Sequence, residues 1–176
     1  MKKTILKWEL SGIIFVFLVG ALLHFVFEWS GNSGIVGAFA SVNESVWEHF
    51  KQGFWPMCLY AAIEYMFLRK YGGNFLAAKA VAVYAIPIIT GLIFYIYTAF
   101  TGTEILIVDI ITFLVAVIIG QVISYKIWTS AALPRYADYM ALAFIILLAC
   151  ILIIVTFYPP HLPIFMDHTG FYGIPQ

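Results

Sequence analysis

Long apolar runs constrain this chain more than any other feature. From Gly12 to Phe27 no residue is formally charged, and from Ala137 to Tyr158 the only charge is Asp138. About 20 apolar residues in helical form cross a hydrocarbon core ~30 Å thick. A chain of 176 residues that is 64% hydrophobic and 10% charged, with a mean hydropathy of +0.99, therefore reads as an integral membrane protein. Its formal net charge of zero says little about partners, and it lacks the basic stripe that nucleic-acid binding needs. Cys58 and Cys150 both fall in apolar runs and read as packing residues rather than a disulfide or a ligand pair.

Five spans are expected, at about 12–27, 54–68, 74–99, 104–127 and 137–158. Short connections make sequential helices antiparallel neighbours. The fold class is thus an all-α, polytopic membrane bundle forming one transmembrane domain over residues 1–176. The first run resembles a secretory signal in its leading lysines, and Ala38-Phe39-Ala40 resembles a cleavage site. That site lies too far past the end of a run too long for a signal, so an uncleaved helix is expected. The positive-inside rule gives the direction. Lys2, Lys3, Lys7, Arg69, Lys70, Lys79, Lys126 and Arg135 fall at cytoplasmic ends if the N-terminus is inside. Of the nine basic residues only Lys51 then lies outside, and the C-terminus is outside too. Trp8, Trp29, Trp55 and Trp128 take interfacial positions at span ends.

The second span is short, about 15 residues or roughly 23 Å. Before it lies an extracytoplasmic segment, 29–53, expected to hold an interfacial or re-entrant helix. Ser41-Val42-Asn43-Glu44 fits a capping box at its start, and Pro56 after Gly53 suggests a kink where it meets the span. The tail, 159–176, is too apolar for disorder and is expected to fold back over the outer mouth of the bundle.

The acidic residues and all four histidines gather mostly on the outer side: His24, Glu28, Glu44, Glu48, His49, Glu104, Asp109, His161, Asp167 and His168. His24 and Glu28 stand one turn apart on one helix, the spacing of a metal-binding pair. Asp109 lies roughly 7 Å inside the outer edge of its span and needs a partner: His24, Lys51 or a metal. Glu44 and Glu48 project together. His49, rotated by about 100° from Glu48, cannot join both in chelating one ion from a regular helix. Glu104 and His168 look dispensable. Deeper, Glu64 either snorkels toward Arg69, pairs with Lys79, or sits protonated. A metal set of His24, Glu28, His49, Asp109 and Asp167 mixes nitrogen and oxygen ligands. Such a set suits zinc better than calcium or magnesium. No zincin H-E-x-x-H, G-x-S-x-G elbow or phosphate loop is present.

Asn43-Glu44-Ser45-Val46-Trp47-Glu48-His49, with Phe54-Trp55-Pro56 and the ending Pro159-Pro160-His161-x-Pro163-x-Phe165-x-Asp167 to Tyr172-Gly173, resembles an uncharacterised family of small bacterial and archaeal integral membrane proteins, a domain of unknown function. The resemblance covers nearly the whole chain. It implies a multi-pass protein of the prokaryotic inner membrane and implies no activity.

Three functions fit these residues. One is a metal-assisted hydrolase or transferase acting on a lipid or small substrate, with Glu44, Glu48 and Asp109 as catalytic groups. Another is a cation or proton pathway with Asp109 and Glu64 as stations, which in a bundle this small needs a homo-oligomer. The third is an accessory subunit whose polar cap only locks the tail. In each, the lipid bilayer is the partner.

Overall fold

The structure is a computed structural model describing residues 1–174. Its described residues form six α-helices: α1 (Lys2–Trp29), α2 (Gly34–Gly37), α3 (Val46–Leu68), α4 (Phe75–Thr101), α5 (Leu106–Trp128) and α6 (Tyr136–Phe157). One turn of 3₁₀ helix follows α3 at Arg69–Tyr71, and another lies in the tail at Pro163–Phe165. The chain is all-α, and α1, α4, α5 and α6 are long and apolar enough to cross a membrane.

The connection between the first two expected spans, residues 29–53, folds differently from expectation. Apart from the single turn of α2, no helix forms there that is separate from α3. The chain loops back after α2, and the helix expected to begin at Ser41 begins at Val46 and runs on as α3. The helix start is displaced by four residues from the expected Ser41. Ser45 is the N-cap, its hydroxyl accepting from the Glu48 N–H, while Ser41 instead donates to the Glu48 carbonyl. The capping box expected at Ser41–Glu44 does not form; the hydroxyl cap is supplied by Ser45 to Glu48, one turn later. With 23 residues, α3 is roughly 34 Å long. It runs through Pro56 without a break, so the helix is longer than the apolar run 54–68 by itself.

In packing, α1 lies against α3 and α5, α4 lies between α3, α5 and α6, and α6 touches α3 only weakly. Val16, Phe54, Met57, Val83, Ile86, Phe113, Ala116 and Val117 form the central apolar layer. Ile5, Leu68, Phe75, Ala78 and Trp128 close the end that carries the N-terminus. At the opposite, far end, Phe27, Ala40 and Val42 pack with Ile174 of the tail. Trp128 is therefore not an interfacial aromatic. It is 3% exposed and its Nε1 donates to the Gly72 carbonyl. Lys79, expected at a cytoplasmic surface, is also buried, because acidic groups from two other helices meet it in the core.

Close approach depends on small residues, as it does where lipid rather than water surrounds the helices. A Cβ on Gly20 would stand 2.4 Å from the Gln52 backbone oxygen and 2.6 Å from the Phe113 ring. The first of these is main chain and cannot rotate away. Gly20→Ala is accordingly expected to destabilise the bundle by on the order of 1–3 kcal/mol through overpacking. Thermal unfolding in detergent checks this, with Gly34→Ala as the comparison, since its added Cβ makes only an ordinary contact at 3.8 Å and its φ is not in the left-handed region.

Candidate metal site at the far end

The far end sorts its polar residues into two groups, one occupied with structure and one free for chemistry. The structural group is built on Lys51, which is fully buried. Its ammonium contacts Glu48 Oε2 and donates to the Gly37 carbonyl at 2.7 Å and to Thr156 Oγ1 at 2.9 Å. Glu48 completes the set: Oε2 accepts from the Val42 N–H at 3.0 Å and Oε1 from the Thr156 hydroxyl at 3.0 Å. One ion pair thereby joins α3, the loop between α2 and α3, and α6. Asn43 adds the tail. Its Nδ2 donates to the Gly173 carbonyl at 2.8 Å, its Oδ1 accepts from the Ser45 N–H, and Trp47 packs edge-on against Phe165. Asn43 is 8% exposed, so the Asn-Glu-Ser triplet offers no open glycosylation acceptor.

Clamping the loop and the start of α3 brings His24, Glu44 and His49 together. His24 Nε2 lies 3.4 Å from Glu44 Oε1, and His49 Nε2 lies 3.4 Å from Glu44 Oε2. One ligand atom from each of the three falls within 4.8 Å of the others, so the three can hold a metal ion. These separations are long for hydrogen bonds. They run to different oxygens of Glu44, so the side chains would draw together to give one ion the roughly 3.3–3.4 Å ligand spacing of tetrahedral zinc.

The second nitrogen of each ring is engaged. His49 Nδ1 lies 2.8 Å from the Ser45 carbonyl, which can only accept, so Nδ1 carries a proton. His49 Nε2 then turns toward a carboxylate, an arrangement that requires positive charge between them: a second ring proton or a metal ion. Outer hydrogen bonds of this kind fix the tautomer of metal-binding histidines. His24 Nδ1 lies 3.0 Å from the Gln52 side-chain amide, which also reaches Ser41. An amide offers either a donor or an acceptor edge by rotation, so Gln52 can serve either tautomer of His24. The His49 ring beside Glu44 holds its carboxyl below the usual carboxylate range, with His24 and His168 assisting against the effect of burial. The Glu44 side chain is 45% exposed, so the cluster opens outward.

The other expected ligands and catalytic groups lie elsewhere. Glu28 is exposed and outside the cluster. Asp109 accepts from the Tyr97 hydroxyl at 2.6 Å, and that hydroxyl also accepts from the Ile105 N–H, so the pair closes the α4–α5 turn. Asp167 Oδ1 accepts from the Thr169 N–H, the Thr169 hydroxyl and the Phe171 N–H, shaping the turn of the tail. Glu48 is spent on Lys51 and Thr156. His161 stacks on Tyr172, and Glu104 is exposed. His168, taken as dispensable, lies near enough to Glu44 to affect its charge. Gln52 and Thr156 went unnoticed because polar residues within helices are common. The signal that would have found Thr156 is its pairing, 105 residues away, with the one basic residue on the far side.

The fold and this cluster define an α-helical bundle of membrane type with a histidine–carboxylate centre at one end. The chain belongs to a family of unknown function (DUF6512), whose sequence profile matches residues 1–174. Neither a curated protein nor a solved structure matches it.

The buried ion pair yields a clear expectation. Lys51→Met strands Glu48 without its cation and is expected to cost about 3–5 kcal/mol. The double variant Lys51→Met/Glu48→Gln recovers most of that loss, because no uncompensated charge remains. Denaturation of the single and double variants in detergent measures the difference.

Proposed function

We propose that the chain is a five-span protein of the prokaryotic plasma membrane, with its N-terminus in the cytoplasm and its C-terminus outside. In this reading it binds zinc through His24, Glu44 and His49 and uses the metal for hydrolysis or group transfer on a lipid or small substrate. The fifth span is α3, which has the length to cross but carries Glu48, Lys51 and Glu64, each in contact with a buried partner of opposite sign. The orientation rests on Lys2, Lys3, Lys7, Arg69, Lys70, Lys126 and Arg135, which lie at helix ends on the N-terminal side of the bundle.

The observation that carries the metal reading is the His49 ring, held by the Ser45 carbonyl with its Nε2 facing Glu44. Two histidines and one carboxylate form the three-ligand set of catalytic zinc sites, which keep the fourth position for water or substrate. His24, Glu44 and His49 would hold the ion, which would supply Lewis-acid polarisation of a carbonyl or phosphoryl oxygen and a bound water of lowered pKa, with the half-exposed side of Glu44 open to substrate. A transport reading draws no comparable support, since the apolar layer of Phe54, Met57, Val83 and Ile86 separates this cluster from Glu64.

Metal analysis of the purified protein tests the proposal. The wild type is expected to carry about one zinc per chain, and His24→Ala, Glu44→Gln and His49→Ala to lose it while remaining folded. Glu28→Ala and Asp109→Asn retain it. Metal binding also weakens as pH falls, because protons compete for the imidazole nitrogens. Wild-type protein without metal after zinc supplementation, or zinc retained in His49→Ala, refutes the site.

A further inference from the structure

A second polar cluster lies near the N-terminal end, roughly 22 Å along α1 from His24. It joins Glu9 of α1, Glu64 of α3, Lys79 of α4, and Gln121 and Ser124 of α5. None of the five is more than 2% exposed. Lys79 Nζ donates to Glu9 Oε1 at 2.9 Å and contacts Glu64 Oε2, and the Ser124 hydroxyl donates to the same Glu9 oxygen at 2.7 Å. On its other side the ammonium stands 5.6 Å from the centre of the Phe75 ring and 5.4 Å from that of Trp128. Two carboxyl groups and two aromatic faces all favour the charged form of Lys79.

The charges do not balance. Two carboxyls share one ammonium, and no second cation reaches the cluster from the packed helices among the described residues. The remaining titratable neighbour is Tyr60 of α3, which spends its proton on the Trp8 carbonyl at 2.6 Å. A net negative charge held out of water costs several kcal/mol, so a buried carboxyl in that position takes up a proton instead. Geometry distinguishes the two carboxyls. Glu9 Oε1 accepts from both Lys79 and Ser124, whereas Glu64 has Lys79 alone, against Oε2, and its Oε1 has no partner. Both ends of the Gln121 amide also lack partners, as does Glu9 Oε2. That amide is wedged between α1 and α3. A Cβ on Gly12 would stand 2.1 Å from Gln121 Nε2 and 2.6 Å from the Tyr60 ring. Gly12 and Tyr60 are one helical turn from Glu9 and Glu64 respectively, so the free amide sits beside the carboxyls with hydrogen-bonding capacity to offer.

We propose that this cluster is a proton-binding site distinct from the far-end metal centre, with Glu64 carrying the proton. One proton from the aqueous phase adds to the Glu64 carboxylate and converts it to a carboxylic acid. Glu9 stays ionised on Lys79 and Ser124, and the cluster passes from a net charge of −1 to zero. Gln121 supplies the neutral amide that the new O–H bonds, directly or through a water. Release of the proton restores a charge that the packed state cannot offset. It is therefore coupled to loosening of the cap formed by Ile5, Leu68, Phe75 and Trp128, which makes the bundle responsive to pH on its N-terminal side.

Infrared spectroscopy of the full-length protein in detergent tests this. The wild type at neutral pH is expected to show the C=O stretch of a buried protonated carboxylic acid, bleaching as pH is raised. Glu64→Gln removes that band. It also abolishes the fall in thermal stability that the wild type shows as pH rises through the titration, since the amide mimics the protonated acid. Glu9→Gln removes the band as well, because one carboxylate then balances Lys79. Lys79→Met, if it folds, roughly doubles the band. Absence of the band in the wild type, or its persistence in Glu64→Gln, overturns the proposal. So does a spectrum that responds to sodium but not to pH, which would make the site one for a metal cation.

Discussion

The contact between Lys51 and Glu48 determines more of this structure than any other single interaction. Neither side chain reaches water, and each satisfies the other only because Thr156, the Gly37 carbonyl and the Val42 N–H take the remaining hydrogen-bonding positions. Buried ion pairs seldom repay their desolvation, and they hold only where every lone pair and proton is used. Here the pair recruits its extra partners from a loop and from a distant helix. Satisfying one charge therefore also sets the position of Glu44, which hangs from that loop, and of His49, on the first turns of the same helix.

The two polar clusters use acidic groups in opposite ways. At the far end, Glu44 is left half in water between two imidazoles, with no basic side chain committed to it. At the N-terminal end, Glu9 and Glu64 are enclosed with a single lysine between them. The first arrangement leaves room for a cation delivered by water, and the second holds one more carboxyl than cation. The apolar layer between them, with Phe54, Met57, Val83 and Ile86 all at most 1% exposed, keeps the two electrostatic problems separate.

The sequence showed the helices well because lipid demands long apolar runs, and their lengths and short connections need no tertiary information. It showed the residues of the candidate metal cluster in part. His24 and His49 stood in the expected ligand set, but so did Glu28, Asp109 and Asp167, and Glu44 was expected as a catalytic group rather than a ligand. What separates them is local bonding: Tyr97 takes Asp109 and the backbone of the tail takes Asp167. Spacing along the chain does not reveal such pairings. Lys79 misled for a related reason. Its place near a span end fits a cytoplasmic lysine, and only the Glu9 and Glu64 side chains arriving from other helices draw it inward. Glu9 itself was readable, as a lone acid between Ile5 and Val16, both fully buried, once α1 is seen to begin at Lys2 rather than Gly12.

Helix α6 holds to the rest of the bundle differently from the others. It leans on α4, with Tyr84 donating to the Phe144 carbonyl at 2.8 Å, and meets the end of α3 through Thr156. Most of its remaining surface faces outward, including Phe144, Ile146, Leu147 and Ile154. Thr156 is where α6 hydrogen-bonds the Lys51–Glu48 pair, so the same buried interaction that holds the loop carrying Glu44 also fixes the far end of the helix least enclosed by the rest.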